Sequence, residues 1–162
     1  MPEISVKEIY DISRTALVQH GALDWVAGDV ASAIAASESV GNKICGLYYL
    51  ESYCEQLISG RVDGRASPEI QLVRAGSVYV NAKDGFAQPA FSKGLPEALK
   101  VARENGIASL SVGRAHTCTS LGYFTKQIAE SGFLGLGLTN ASPIVAPPGG
   151  KSRIIGTNPI AF

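Results

Sequence analysis

The 162-residue sequence has only two histidines, His20 and His116, and three cysteines, Cys45, Cys54 and Cys118. Two imidazoles exclude a multi-histidine metal site within one chain. The cysteines are odd in number and widely spaced, with no CxxC. Neither a disulfide framework nor a zinc site is therefore expected, and reduced thiols point to a cytoplasmic setting. A charge excess of either sign is also missing, since 14 Lys and Arg balance 14 Asp and Glu. A chain that grips nucleic acid through its phosphates needs a basic surplus, so no nucleic-acid partner is expected. No apolar run approaches the roughly 20 residues of a membrane span. The polar start, residues 1–8, has none of the apolar stretch of a signal peptide. Charged residues make up 17% of the chain, below the usual value of about 25%. Hydrophobic residues make up 46%. Part of what should be free surface is expected to be buried against something else.

What is present reads as α/β: a helical region over 1–60, then a mixed α/β region over 61–162. Ser5 and Glu8 have the spacing of a capping box. Val6, Ile9, Ile12, Ala16 and Leu17 then predict a helix to about His20, stopped by Gly21. Asp24 is the expected cap of a second helix, which ends near Val40-Gly41. A third helix is expected from Gly46 to Ile58. After Gly60, 70–73 and 78–80 read as strands. Asp84-Gly85 is a turn, Pro89 opens a helix to Asn105-Gly106, and 107–112 is a buried strand. A helix over 120–131 and a strand over 133–138 follow.

Two motifs fail on inspection. Gly135-Leu136-Gly137 suggests a dinucleotide fingerprint, but the third glycine position is Asn140 and the run lies in a strand pattern. Gly150-Lys151-Ser152 resembles the end of a phosphate loop, but the leading position is Val145 and no helix follows. The Asn140-Ala141-Ser142 sequon precedes Pro143 and carries no weight. His116 lies between a strand and a helix, at a strand end of the kind that binds ligands in α/β sheets; a plain surface-loop histidine is the competing reading. Thr117, Thr119 and Ser120 follow at the helix entrance, where hydroxyls and free N–H groups either hold an anion or cap the helix.

Several longer segments carry a resemblance. They are 53–63 (YCEQLISGRVD), Asp84-Gly85-Phe86, 102–108 (ARENGIA), Gly122-Tyr123-Phe124 and 129–133 (AESGF). The run continues through Thr139-Asn140, Val145-Ala146-Pro147, Gly149-Gly150 and 156–161 (GTNPIA). In this order the chain resembles the N-terminal part of the type 2 malate/L-lactate dehydrogenase family. The resemblance implies a non-Rossmann nucleotide fold, NAD or NADP as cofactor, a small carboxylate substrate (a 2-oxo or 2-hydroxy acid, or a cyclic imino acid) and a homodimer. It also implies that Thr117, Thr119 and Ser120 line the nucleotide site, that Thr157 and Asn158 meet the substrate, and that His116 is the remaining candidate acid.

Departures from the family pattern bear on mechanism. The resemblance implies Ser-His-Gly with the His as acid and an Arg four residues after it as carboxylate clamp; at these positions this chain has Ile44, Cys45, Gly46 and Tyr49, so acid and clamp are both gone. An ungapped count places the family's second histidine on Thr117, one residue after His116. Family members also continue well past Gly-Thr-Asn-Pro. The apolar stretches 153–155 and 159–162 are thus expected to pair with further chain or with another subunit. The competing reading is a catalytically inactive remnant that binds a ligand or a partner.

Overall fold

The computed structural model describes residues 3–162, which form two compact units, one up to Ser120 and the other Leu121–Phe162. The helical region expected over 1–60 lies in the first unit, together with a three-stranded sheet.

Helix α1, Val6–Gln19, opens on the predicted capping box. The Glu8 N–H donates to Ser5 Oγ at 3.2 Å, and the Ser5 N–H donates to Glu8 Oε2 at 2.8 Å. Its buried face, Ile9, Ser13 and Leu17, packs on α2, Asp24–Ser39. Asp24 is not the cap: Leu23 occupies that position, and Asp24 sits in the first turn with Arg14 paired to its carboxylate. The expected third helix is shorter than its apolar spacing suggested. Two 3-10 turns, Lys43–Cys45 and Leu47–Tyr49, precede α3, Leu50–Ile58. Glu38 is the cause. Its Oε1 accepts the Leu47 N–H at 2.8 Å, and a Cβ on Gly46 would lie 2.2 Å from that oxygen. The three helices enclose a core of Leu17, Val26, Val30, Ile34, Tyr53 and Phe86.

Strand β1, Glu69–Arg74, pairs antiparallel with β2, Ser77–Asn81. β2 pairs parallel with β3, Ser109–Gly113, and α4, Ala87–Asn105, connects them. Parallel neighbours need such a crossover. Two element starts differ from expectation. α4 begins at Ala87, two residues before Pro89, because the Ala87 N–H is held by the His116 carbonyl at 3.1 Å. β3 begins at Ser109, and Ile107 is exposed. α4 covers the sheet face carrying Val78, Val80 and Leu110. β1 has no such cover: Ile70, Leu72 and Val73 are 43–58% exposed.

In the second unit, α5, Leu121–Glu130, carries buried Phe124 and Thr125. The strand expected over 133–138 reduces to β4, Gly137–Leu138, and β5, Ile160–Ala161, pairs with it antiparallel. The 160–161 stretch thus has a strand partner within its own chain on one edge, while Ile160 stays exposed. Ile155 bridges Val145 in the same way. Phe162 remains 84% exposed. Among the described residues, no helix is long and apolar enough to cross a membrane.

Candidate functional site

Parallel pairing between β2 and β3 runs on past both strands. The Ala82 N–H donates to Gly113 O at 2.9 Å, the Asp84 N–H to Arg114 O at 2.8 Å and the His116 N–H to Gly85 O at 2.8 Å. The loop 116–119 is therefore pinned at the carboxyl ends of two parallel strands, beside the start of α4. Ligands of open α/β sheets bind at such ends.

The loop backbone is unusual. Thr117 and Thr119 have φ of 47° and 49°, in the left-handed region. A β-branched residue there is a true outlier, at a cost of about 1–3 kcal/mol each. Side chains from two helices hold the loop in this form. Tyr53 of α3 is fully buried, with its ring against Tyr49 and edge-on to Phe86, both at 5.4 Å between centroids. Its hydroxyl donates to Thr119 Oγ1 at 3.0 Å, and burial pushes the phenol well above its ordinary range. It is a structural donor and not an acid. Gln56, one turn along α3, accepts the Thr117 hydroxyl on Oε1 at 3.3 Å. Gln88 of α4 is 1% exposed, and its Nε2 donates to Thr117 O, Tyr53 Oη and Cys118 O at 3.1, 3.3 and 3.5 Å.

This network orients His116. With its one proton given to Gln56, the Thr117 hydroxyl meets His116 Nδ1, 3.0 Å away, as an acceptor. The neutral imidazole then carries its proton on Nδ1, leaving the Nε2 lone pair open. Burial and, after it, the positive charge of Arg61 push the imidazole below its ordinary pKa, against an opposing pull from Asp84. Asp84 is paired with Arg114.

The structure brings His116, Thr117 and Thr119 together in one bonded cluster. Ser120 follows them, half-buried. Thr157 and Asn158 lie in the second unit and both are exposed. Asn158, at φ 40°, accepts the Ala141 N–H on Oδ1 at 2.9 Å. Gly156 is tight beside it: a Cβ there would lie 2.1 Å from the Ala141 carbonyl oxygen. Asn158 thus braces a turn. On the segment around Cys45, Ile44 and Tyr48 are exposed, Tyr49 packs on Tyr53, and burial raises the Cys45 thiol above its ordinary pKa. The sequence reading missed Gln56, Gln88 and Arg61. The one available signal was Gln88 itself, a lone amide in the apolar run 86–91 (FAQPAF). No group of three or more His, Cys, Asp or Glu among the described residues is placed to hold a metal ion.

The donor set suits a nicotinamide dinucleotide, whose phosphates and riboses call for hydroxyl and cationic partners. The loop offers the half-buried Thr119 hydroxyl as a donor and the Thr117 hydroxyl oxygen, its proton given to Gln56, as an acceptor only, and the positive charge of Arg61 acts on the neighbouring His116.

Comparison with known proteins gives the relationship. The sequence model of the family described as malate/L-lactate dehydrogenase matches residues 4–162. A delta(1)-pyrroline-2-carboxylate/delta(1)-piperideine-2-carboxylate reductase of Pseudomonas syringae pv. tomato is 34% identical over 159 residues, covering 98% of this chain and 46% of that protein. A (2R)-3-sulfolactate dehydrogenase (NADP(+)) of Chromohalobacter salexigens is 35% identical over 160 residues, covering 98% and 47%. The crystal structure of delta1-piperideine-2-carboxylate reductase from Pseudomonas syringae superposes with a TM-score of 0.92 at 32% identity, covering 99% of this chain and 48% of that one. The chain spans about half the length of the relatives it matches. With a family match across almost its whole length, it belongs to the malate/L-lactate dehydrogenase family.

Proposed function

We propose that the chain is part of an oxidoreductase that uses NAD or NADP and acts on 2-oxo or 2-hydroxy acids or on cyclic imino acids. The observation that carries this reading is the bonded loop His116–Thr119 at the ends of two parallel strands. Thr117, Thr119 and Ser120 would hold the dinucleotide, which supplies the hydride chemistry when bound. His116 Nε2 is the atom that exchanges the proton with the substrate oxygen or nitrogen. Below its own pKa the imidazolium donates; above it the free lone pair accepts. Burial and Arg61 hold that pKa low, so the neutral, proton-accepting form prevails at pH 7. Arg61 is a candidate partner for the substrate carboxylate, a role that Tyr49 cannot fill. Thr157 is the candidate substrate contact in the second unit, with Asn158 bracing its turn. Cys45, Cys54 and Cys118 form no disulfide, which agrees with a cytoplasmic protein. The uncovered apolar residues of β1 agree with a homodimer or a complementing chain.

The test is titration with NADH and NADPH, followed by nucleotide fluorescence, then addition of 2-oxo acids and cyclic imino acids with loss of absorbance as the readout. Binding with turnover is expected. One observation favours a second reading, a ligand-binding remnant: the only thiol at the family's acid position, Cys45, has its pKa raised by burial. Nucleotide binding without turnover across the panel selects that reading. No binding of either nucleotide overturns both.

A further inference from the structure

Gln88 is buried in a way that packing does not explain. Its side chain lies between α3, α4 and the loop and is 1% exposed. Its three acceptors all lie around Nε2, whose two protons they share, while Oε1 is buried without a partner among the described residues. A site that only needed filling accepts Met or Leu, which leave no amide oxygen to desolvate. What distinguishes Gln is donation, and two of its three acceptors are carbonyls of the loop residues Thr117 and Cys118. Those carbonyls flank the peptide groups between the two left-handed threonines. The amide orientation follows from the same facts, since turning it would set an oxygen against two carbonyls.

We propose that Gln88 is the positioning residue of the loop: its amide ties the Thr117 and Cys118 carbonyls to α4 and so keeps Thr117 and Thr119 in left-handed backbone with their hydroxyls in place for a ligand. The second link runs through Tyr53. Gln88 donates to the phenol oxygen, and the phenol donates to Thr119 Oγ1. Accepting that bond leaves the Thr119 hydroxyl proton free for an outside acceptor. The consequence for nucleotide affinity rests on the oxidoreductase reading; the hold on the loop does not.

The experiment compares the whole chain with Gln88→Met and Gln88→Glu. Met fills the site without donors. Glu keeps the shape, and only its protonated carboxyl can donate to the carbonyls. The titratable groups around position 88 are Tyr53 on α3 and Cys118 in the loop. His116 lies beyond Thr117, with Arg61 and Asp84 acting on it. Each variant is therefore read against wild type at every pH. The readouts are amide hydrogen exchange in the segment 114–120, exchange in α1 and α2 as the folding control, and the dissociation constant for NADPH. Gln88→Met should speed exchange in 114–120 at least tenfold with α1 and α2 unchanged, and weaken NADPH at least tenfold. Gln88→Glu, with one donor in place of two, should fall between wild type and the Met variant at low pH and approach the Met variant as the pH rises and its carboxyl ionises. Exchange in 114–120 within twofold of wild type for Gln88→Met overturns the proposal. So does a Gln88→Glu profile with no pH dependence relative to wild type. If wild type binds neither NADH nor NADPH but the loop loosens as described, the positioning role stands and the oxidoreductase reading fails.

Discussion

Replacing Tyr53 by Phe isolates the hydroxyl that links α3 to the loop. The ring stays, so the contacts with Tyr49 and Phe86 at 5.4 Å and the fully buried position are kept. Two hydrogen bonds are lost: the phenol's donation to Thr119 at 3.0 Å and its acceptance from Gln88 at 3.3 Å. Each is worth about 0.5–1.5 kcal/mol net. Gln88 keeps its two carbonyl acceptors, and half-buried Thr119 can take water instead, so the combined loss should be about 1.5 kcal/mol. At about 2–4 °C per kcal/mol for a chain of this size, Tm should fall by about 3–6 °C. Because the chain has two compact units, a global two-state fit is unsafe. Trp25, the sole tryptophan, lies in the first unit, so urea unfolding followed by its fluorescence reads that unit alone. Tyr53→Ala also empties the ring's site and should cost about 3–5 kcal/mol. Equal midpoints for wild type and Tyr53→Phe, or equal losses for Phe and Ala, would refute the account of this residue.

Two further outcomes follow from named contacts. Gly94→Ala should gain about 1 kcal/mol of helix propensity. Yet its Cβ would stand 2.5 Å from Val80 Cγ2 and 3.0 Å from Leu110 Cδ1. Val80 is fully buried on the central strand, so overpacking of about 1–3 kcal/mol should win and the variant should unfold at lower urea. Arg61→Ala removes a positive charge that disfavours the imidazolium, so the His116 pKa should rise towards its ordinary value, read by NMR titration of the ring. As the folded-state value lies below the ordinary one, His116 contributes stability that is fully present above about pH 6.5 and lost as pH falls through the folded-state value; the substitution should shrink that acid loss.

The helices were legible where their signals are local. Ser5 and Glu8 cap α1 through contacts three residues apart, and Gly21, Gly41, Gly60 and Gly106 stand at helix ends with positive φ. The segment 43–49 was not legible. Its 3-10 form is set by a carboxylate on α2, nine residues before the N–H it accepts. The loop was legible as a place but not as a shape. His116 and the hydroxyls after it mark a strand end, whereas nothing in a threonine predicts φ near +50°. Their conformation is set from positions 53, 56 and 88, a separation that no local pattern spans. Position 158 shows the converse. Asn is among the few residues that visit the left-handed region readily, so its turn role was written in its type, while the expected substrate contact rested on family position and on two small polar side chains amid apolar neighbours.

The same contacts bear on where proton chemistry can reside. Tyr53 and Gln56 sit three residues apart on α3, hence on one face, and both spend their polar groups on the loop. Tyr49 is packed against Tyr53, and burial keeps Cys45 protonated at neutral pH. The α3 side of the site therefore supplies anchors and no group that titrates near pH 7. His116 is the titratable group of the loop, its pKa held below the ordinary imidazole range by burial and then by Arg61, and the network decides which of its nitrogens is open. With the Thr117 hydroxyl donating to Gln56, Nδ1 holds the proton and the Nε2 lone pair is left open. Proton exchange in the proposed reaction thus depends on an amide three hydrogen bonds removed from the substrate. A carbon side chain at position 56 should free the Thr117 proton to turn towards Nδ1 and reverse the tautomer.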